Sequence, residues 1–289
     1  MTTMATYSWT RNDRFSSSPA RPGRGNVPLT DDDLMRIAPS IFAANPWHRM
    51  SERYKFVPTI DVINWLRDAG FMPVRAMQSR SRIEGKGEFT KHMVRFRHRD
   101  NLDVSAIAQG EEFPEQTLVN AHDGTAAYQL YPSIFKKLCS NGLICHSSDL
   151  DGFSIRHKGG RDFHNMVIDA SYRVLETAPK TMAQIQEFKQ IELTPEHRQA
   201  FATAALELRD NATLEPRHIL AARRSEDTAP TLWNTLNVVQ ENMIRGGVRA
   251  RNQETGRRMT TKEVKSVDGD VKTNRALWVL ASEMAKLVN

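Results

Sequence analysis

The chain is poor in the residues that staple, span or chelate. Two cysteines, Cys139 and Cys145, stand in 289 residues, too few for the disulfide framework of a small extracellular scaffold. No apolar run approaches the ~18 residues that cross a bilayer, and no charged-then-apolar leader opens the chain. The expectation is therefore a cytoplasmic protein with no membrane partner. His92, His98, His122, His146, His157 and His164 fall in no Cys-x-x-Cys or His-Glu-x-x-His spacing. Glycine-rich phosphate loops are missing too: Lys158-Gly159-Gly160-Arg161 reads as a basic turn and Arg245-Gly246-Gly247 as a helix end. Cys139 reads as a small core residue and Cys145 has no activating base nearby in sequence. No metal, no cofactor and no catalytic set is expected.

What the chain does have is positive charge, unevenly spread over a net +6. Between Arg75 and Arg99 lie 8 Lys and Arg against 2 Glu. Residues 100–131 carry 6 acids and no Lys or Arg, and residues 245–275 carry 9 basic residues against 4 acidic ones. Such asymmetry says more about partners than the total does. Residues 1–28 hold Arg11, Arg14, Arg21 and Arg24 among Ser, Pro and Gly. They read as a flexible basic arm, with too little apolar surface to offset ordering.

The pattern predicts an α+β protein, an antiparallel sheet first and helices after. Thr30 before three Asp reads as a helix cap, and a second helix runs from Thr59 to Gly70. Val74–Arg80 and Lys91–Arg97 are expected as a hairpin about Gly85 and Gly87. A two-residue period puts Lys91, Met93, Arg95 and Arg97 on one face, and His92, Val94, Phe96 and His98 on the other. Like charges facing across paired strands repel, and a face this basic calls for an anion. Asp123-Gly124 predicts a tight hairpin between Gln116–His122 and Thr125–Tyr131. Pro132 is expected to open a helix through Leu138, closed by Gly142. Later helices are expected from Asp162 (divided at Pro179), after Thr194-Pro195, after Thr231 and around Leu277–Leu287. Residues 245–275 read as a long basic loop. The domains expected are the arm at 1–28, an α+β core at 29–192 and a helical region at 193–289.

Several runs resemble one family. They are Phe89–Phe96, Leu118–Leu130, Leu138–Leu143, Gln240–Gly247 and Asn274–Trp278, and they look like the plasmid- and phage-borne "phage/plasmid-like" proteins of unknown function, over residues 30–289. The resemblance implies a mobile-element context of replication, recombination or evasion of host defence. The order of elements is also similar to single-strand annealing proteins of the Red-beta type. That second resemblance implies rings or filaments holding single-stranded DNA in a basic groove, and transfers no residues.

The function expected is ATP-independent binding and annealing of single-stranded DNA by a homo-oligomer, ring or filament, of a mobile genetic element. The phosphate-binding residues expected are Arg75, Arg80, Arg82, Lys91, Arg95 and Arg97 of the hairpin. Lys136, Lys137, Arg156, Lys158 and Arg161 follow in the middle of the chain, and Arg249, Arg251, Arg257 and Arg258 in the basic loop. Phe96, Tyr128 and Tyr131 are the stacking candidates. One alternative is a protein-interaction factor that uses the acidic stretch. Another is a metal-dependent nuclease.

Overall fold

The computed structural model describes residues 27–102, 112–136, 142–145, 153–155, 161–208, 212–252 and 255–288. Most of the expected basic arm lies outside them. Thr30 caps α1 (Asp31–Ile37) through a capping box with Asp33. A single 3₁₀ turn at Pro39–Phe42 leads toward α2 (Thr59–Asp68), which ends before Gly70 at φ +94°.

The main sheet has six strands: β1 (Phe71–Gln78), β2 (His92–His98), β3 (Glu112–Asn120), β4 (Tyr128–Lys136), β5 (Gly142–Ile144) and β6 (Phe153–Ile155). The strands β1 to β5 lie in chain order, all antiparallel, and β6 also pairs with β4. The expected first hairpin is present, with Arg75 opposite Arg95 and Gln78 opposite His92.

The expected helix at Pro132 is not. Residues 128–136 form one strand, and the three prolines of the sheet show why strands tolerate them. Pro132 sits where the neighbour of β4 changes from β6 at Tyr128–Leu130 to β5 at Ser133–Phe135. Its carbonyl accepts from Cys145 N on that side, so its missing N–H leaves no gap in the β3 ladder. Pro73 lies in edge strand β1 with its carbonyl turned outward to Leu29 N, and Pro114 lies beyond the last β2–β3 pair, Phe96 with Gln116. Gly142 opens a strand rather than closing a helix. The Asp123-Gly124 turn is also wider than expected. The last β3–β4 pair is Val119 with Gln129, because His122 and Asp123 are drawn into bonds of their own.

Helices cover both faces of the sheet. On one, Leu34, Val62, Ile63, Leu66, Phe163 and Val167 pack on Val94, Phe96, Leu118 and Leu130, each full burial worth about 1.5–3 kcal/mol. Phe163 and Val167 belong to α3 (Arg161–Glu176), which gives way at Thr177 to α4 (Ala178–Gln190), with Pro179 in the first turn of the new helix. The helical half adds α5 (Pro195–Leu206), a short strand β7 (Ala212–Thr213) and the single turn α6 (Pro216–Ile219). Then come α7 (Leu232–Arg245), β8 (Arg249–Asn252), β9 (Arg258–Thr260) and α8 (Val267–Val288). Thr194 and Thr231 cap α5 and α7 as the sequence predicts. A second core, built on Phe188, Phe201, Trp233, Leu236, Leu277 and Trp278, holds these helices together and reaches Ile134 and Leu143 of the sheet. No helix of the described residues is long and apolar enough to cross a membrane.

Candidate nucleic-acid interface

The basic face of β2 is where sequence and structure part. Its alternation is as expected, but the face carrying Met93, Arg95 and Arg97 is covered by the chain's own C-terminal helices. Arg95 is 2% exposed and Arg97 0%. Arg97 donates from Nη2 to Glu115 Oε1 at 2.6 Å and from Nε to the same oxygen at 3.2 Å, between the rings of Phe113 and Phe135. Arg95 Nη2 lies 3.7 Å from Asp270 of α8. Arg75 stands directly opposite Arg95. Burial, then the Arg95 charge, lowers its pKa, while Asp270 and Glu115 pull it back. The like-charged ribbon thus has its anions, and they come from the same molecule. Arg95 and Arg97 are corrected from phosphate ligands to internal ion-pair partners, and Arg75 lies half-buried opposite Arg95 in the field of Asp270 and Glu115.

Two residues of the acidic stretch turn inward as well. Glu112 and Glu115 are buried, and Glu112 accepts from Trp233 Nε1 at 2.8 Å and from Lys189 Nζ at 2.7 Å. Glu112 fastens the helical half to the sheet, while Glu115 ties β3 to β2 through Arg97. Asp100 is exposed and meets His98; Asp103 and Glu111 lie outside the described residues. A further chain of hydrogen bonds runs from Gln240 Nε2 to Asn274 Oδ1 at 2.6 Å and from Asn274 Nδ2 to Asp270 Oδ1 at 2.9 Å. It brings together Gln240–Gly247 and Asn274–Trp278, two of the runs behind the family resemblance.

A second polar knot lies on the other face of the sheet. Thr59 Oγ1 meets His92 Nε2 at 2.8 Å, His122 Nε2 at 3.0 Å and Asn120 Nδ2 at 2.9 Å. His92 Nδ1 faces the Thr90 carbonyl at 3.1 Å and Ser40 Oγ at 2.8 Å. A carbonyl only accepts, so Nδ1 carries the proton and Nε2 accepts from the Thr59 hydroxyl. Asn120 and His122 then donate to the two remaining lone pairs. Burial lowers the His92 pKa to about 4. The knot is a structural weld, and among the described residues no group of His, Cys, Asp and Glu is placed to hold a metal. Cys145 is buried and burial raises its thiol pKa; Cys139 lies outside the described residues. Phe96 and Tyr128 are buried in the core and leave the stacking candidates; Tyr131 is buried as well, 6% exposed with the Arg275 guanidinium over its ring, and offers no open face for direct stacking.

The exposed basic surface is elsewhere. Residues 245–275 are not a loop. Gly246 at φ +66° and Gly247 at φ +76° turn the chain out of α7 into the ribbon β8–β9, and α8 begins at Val267. The ribbon pairs Arg249 with Thr260, Ala250 with Met259 and Arg251 with Arg258, and β7 adds Thr213 beside Arg251. Ala250 points inward, buried, while Arg249, Arg251, Arg257 and Arg258 are exposed. Arg251 and Arg258 therefore form a like-charged cross-strand pair in water, which is destabilising without a counter-charge. Arg80 and Arg82 are exposed on the β1–β2 loop, whose Ser79 Oγ accepts from Val267 N at the start of α8. Lys91 pairs with Asp268 at 2.6 Å. Lys136 ends β4 and Arg161 opens α3; Lys137, Arg156 and Lys158 lie outside the described residues.

Against known proteins, residues 46–278 match the family described as "Domain of unknown function (DUF932)". The chain belongs to the DUF932 family. The match runs from before α2 through the sheet, the ribbon and more than half of α8. Two similar relatives are "UPF0380 protein YafZ" and "UPF0380 protein YfjQ" of Escherichia coli (strain K12). They are 39% and 38% identical over 264 residues, 90% of this chain and 93% of each relative. No solved structure matches.

Proposed function

We propose that this DUF932 protein binds single-stranded DNA without sequence preference and anneals complementary strands without ATP, in the service of a mobile genetic element. The observation that carries the reading is the exposed Arg251–Arg258 pair flanked by Arg249 and Arg257. A phosphate strand along that face removes the repulsion and releases counterions. Lys262 and Lys265, both exposed, continue the charge toward Arg80 and Arg82. The seven steps from Thr260 to Val267 span at most about 25 Å, so ribbon and β1–β2 loop lie within reach of one short strand. Side-by-side association of copies is part of the proposal and would align their ribbons along the DNA.

The test is annealing of complementary labelled strands in the absence of nucleotide. The wild type should speed duplex formation, and Arg251→Glu with Arg258→Glu should abolish the gain while leaving the fold intact. Equal rates with and without protein would rule annealing out. Light scattering with and without oligonucleotide tests assembly.

A further inference from the structure

A groove of about 670 Å³ opens between the first turns of α8 and the ends of β3 and β4, within the ~300–1,000 Å³ of ordinary ligand sites. The buried stripe of α8 runs through Val267, Asp270, Asn274, Leu277, Trp278 and Ala281. A different face, Asp268, Lys272, Arg275, Ala276 and Val279 at three- and four-residue spacing, forms the groove wall. Lys91, Gln129 and Tyr131 line the sheet side. The lining carries three cations, Lys91, Lys272 and Arg275, against one carboxylate, Asp268. The Arg275 guanidinium lies 5.5 Å over the Tyr131 ring, and Val279 adds an apolar wall 40% exposed.

We infer that this groove takes one nucleotide unit. Its phosphate sits on Lys91 and Lys272, and its planar base stacks on the Arg275 guanidinium that already rests on Tyr131. Splayed bases stack on arginine planes and aromatic rings in single-strand recognition. The Gln129 amide offers a donor and an acceptor to the base edge. Asp268, holding Lys91 at 2.6 Å, competes with the phosphate for that ammonium. For its natural ligand the inference rests on the nucleic-acid reading above; the same chemistry also suits a free nucleotide.

The test uses the full-length protein with three probes: an iodouracil-bearing single-stranded oligonucleotide, thymidine monophosphate and inorganic phosphate. Photocrosslinks to the strand should map to peptides holding Tyr131 or Arg275. The exposed variant Lys272→Glu should weaken strand binding about tenfold, and Asp268→Asn should tighten it about fivefold, the worth of one exposed ion pair. Strand binding with crosslinks confined to β8–β9, and no response to either variant, overturns the groove and leaves the nucleic-acid reading standing. Monophosphate binding that follows both variants, with no strand binding, supports the groove and overturns the strand reading. Equal response to inorganic phosphate and monophosphate overturns the base half of the inference.

Discussion

Arg97 and Glu115 form the buried pair on which the polar face of the sheet depends, and removing one partner strands the other's charge. Arg97→Met should destabilise the fold by about 3–5 kcal/mol, with Arg97→Met and Glu115→Leu together far milder. Urea titration of the three proteins checks this. A single variant as stable as the wild type would contradict it. His92 gives the pH counterpart. Its folded pKa, about 4, lies below the unfolded value near 6.5, so the unfolded chain binds more protons between them. Stability is full above about 6.5 and falls as pH drops toward 4, by at most about 3 kcal/mol from this group. The urea midpoint should therefore decline between pH 7 and pH 5. His92→Gln should flatten that decline, and an unchanged slope would show that the group does not titrate this way. Asp123 acts in the same direction at lower pH: burial raises its carboxyl, but hydrogen bonds from Thr125 and Lys86 outweigh that and lower its pKa.

Among the elements, the turn from α7 into the ribbon is most tightly constrained at Gly246. Gly246 has φ +66°, and a Cβ there would meet the Lys262 carbonyl carbon at 2.5 Å. Gly246→Ala should cost at least the ~1–3 kcal/mol of a strained backbone position and misplace β8–β9, lowering the melting temperature and DNA affinity together. Gly247→Ala meets nothing within 4 Å and should cost less. Elements with local signals were legible in the sequence: the Thr30, Thr194 and Thr231 caps, the division at Pro179, the hairpin about Gly85. Pro132 misled because its helix-opening signal is also local, whereas the gap between β5 and β6 that admits it is set by strands further along the chain. The ribbon read as a loop because Arg249–Asn252 and Arg258–Thr260 are too short for alternation to stand out.

Across the whole molecule, what matters is which basic surface faces water. The sequence shows which residues of β2 share a face. It cannot show that α8, some 170 residues later, lays Asp268 and Asp270 over that face. Arg249, Arg251, Arg257 and Arg258 were legible as basic residues, and the fold turns them into a paired, exposed array. Lys272 and Arg275 of the proposed groove were not among the expected site residues, although their spacing from Asp268 on one helix was a signal available to find them. The proposed DNA site therefore centres on the second hairpin, with Arg80, Arg82 and Lys91 of the first at its margin. Anisotropy of a labelled single-stranded oligonucleotide, titrated at low and physiological salt, tests that most directly. The wild type should bind with steep salt dependence. Arg251→Glu with Arg258→Glu should weaken binding about tenfold or more and flatten the slope by about one unit for each phosphate no longer neutralised. Wild-type binding absent at low salt, or binding indifferent to those two substitutions, would contradict the central claim.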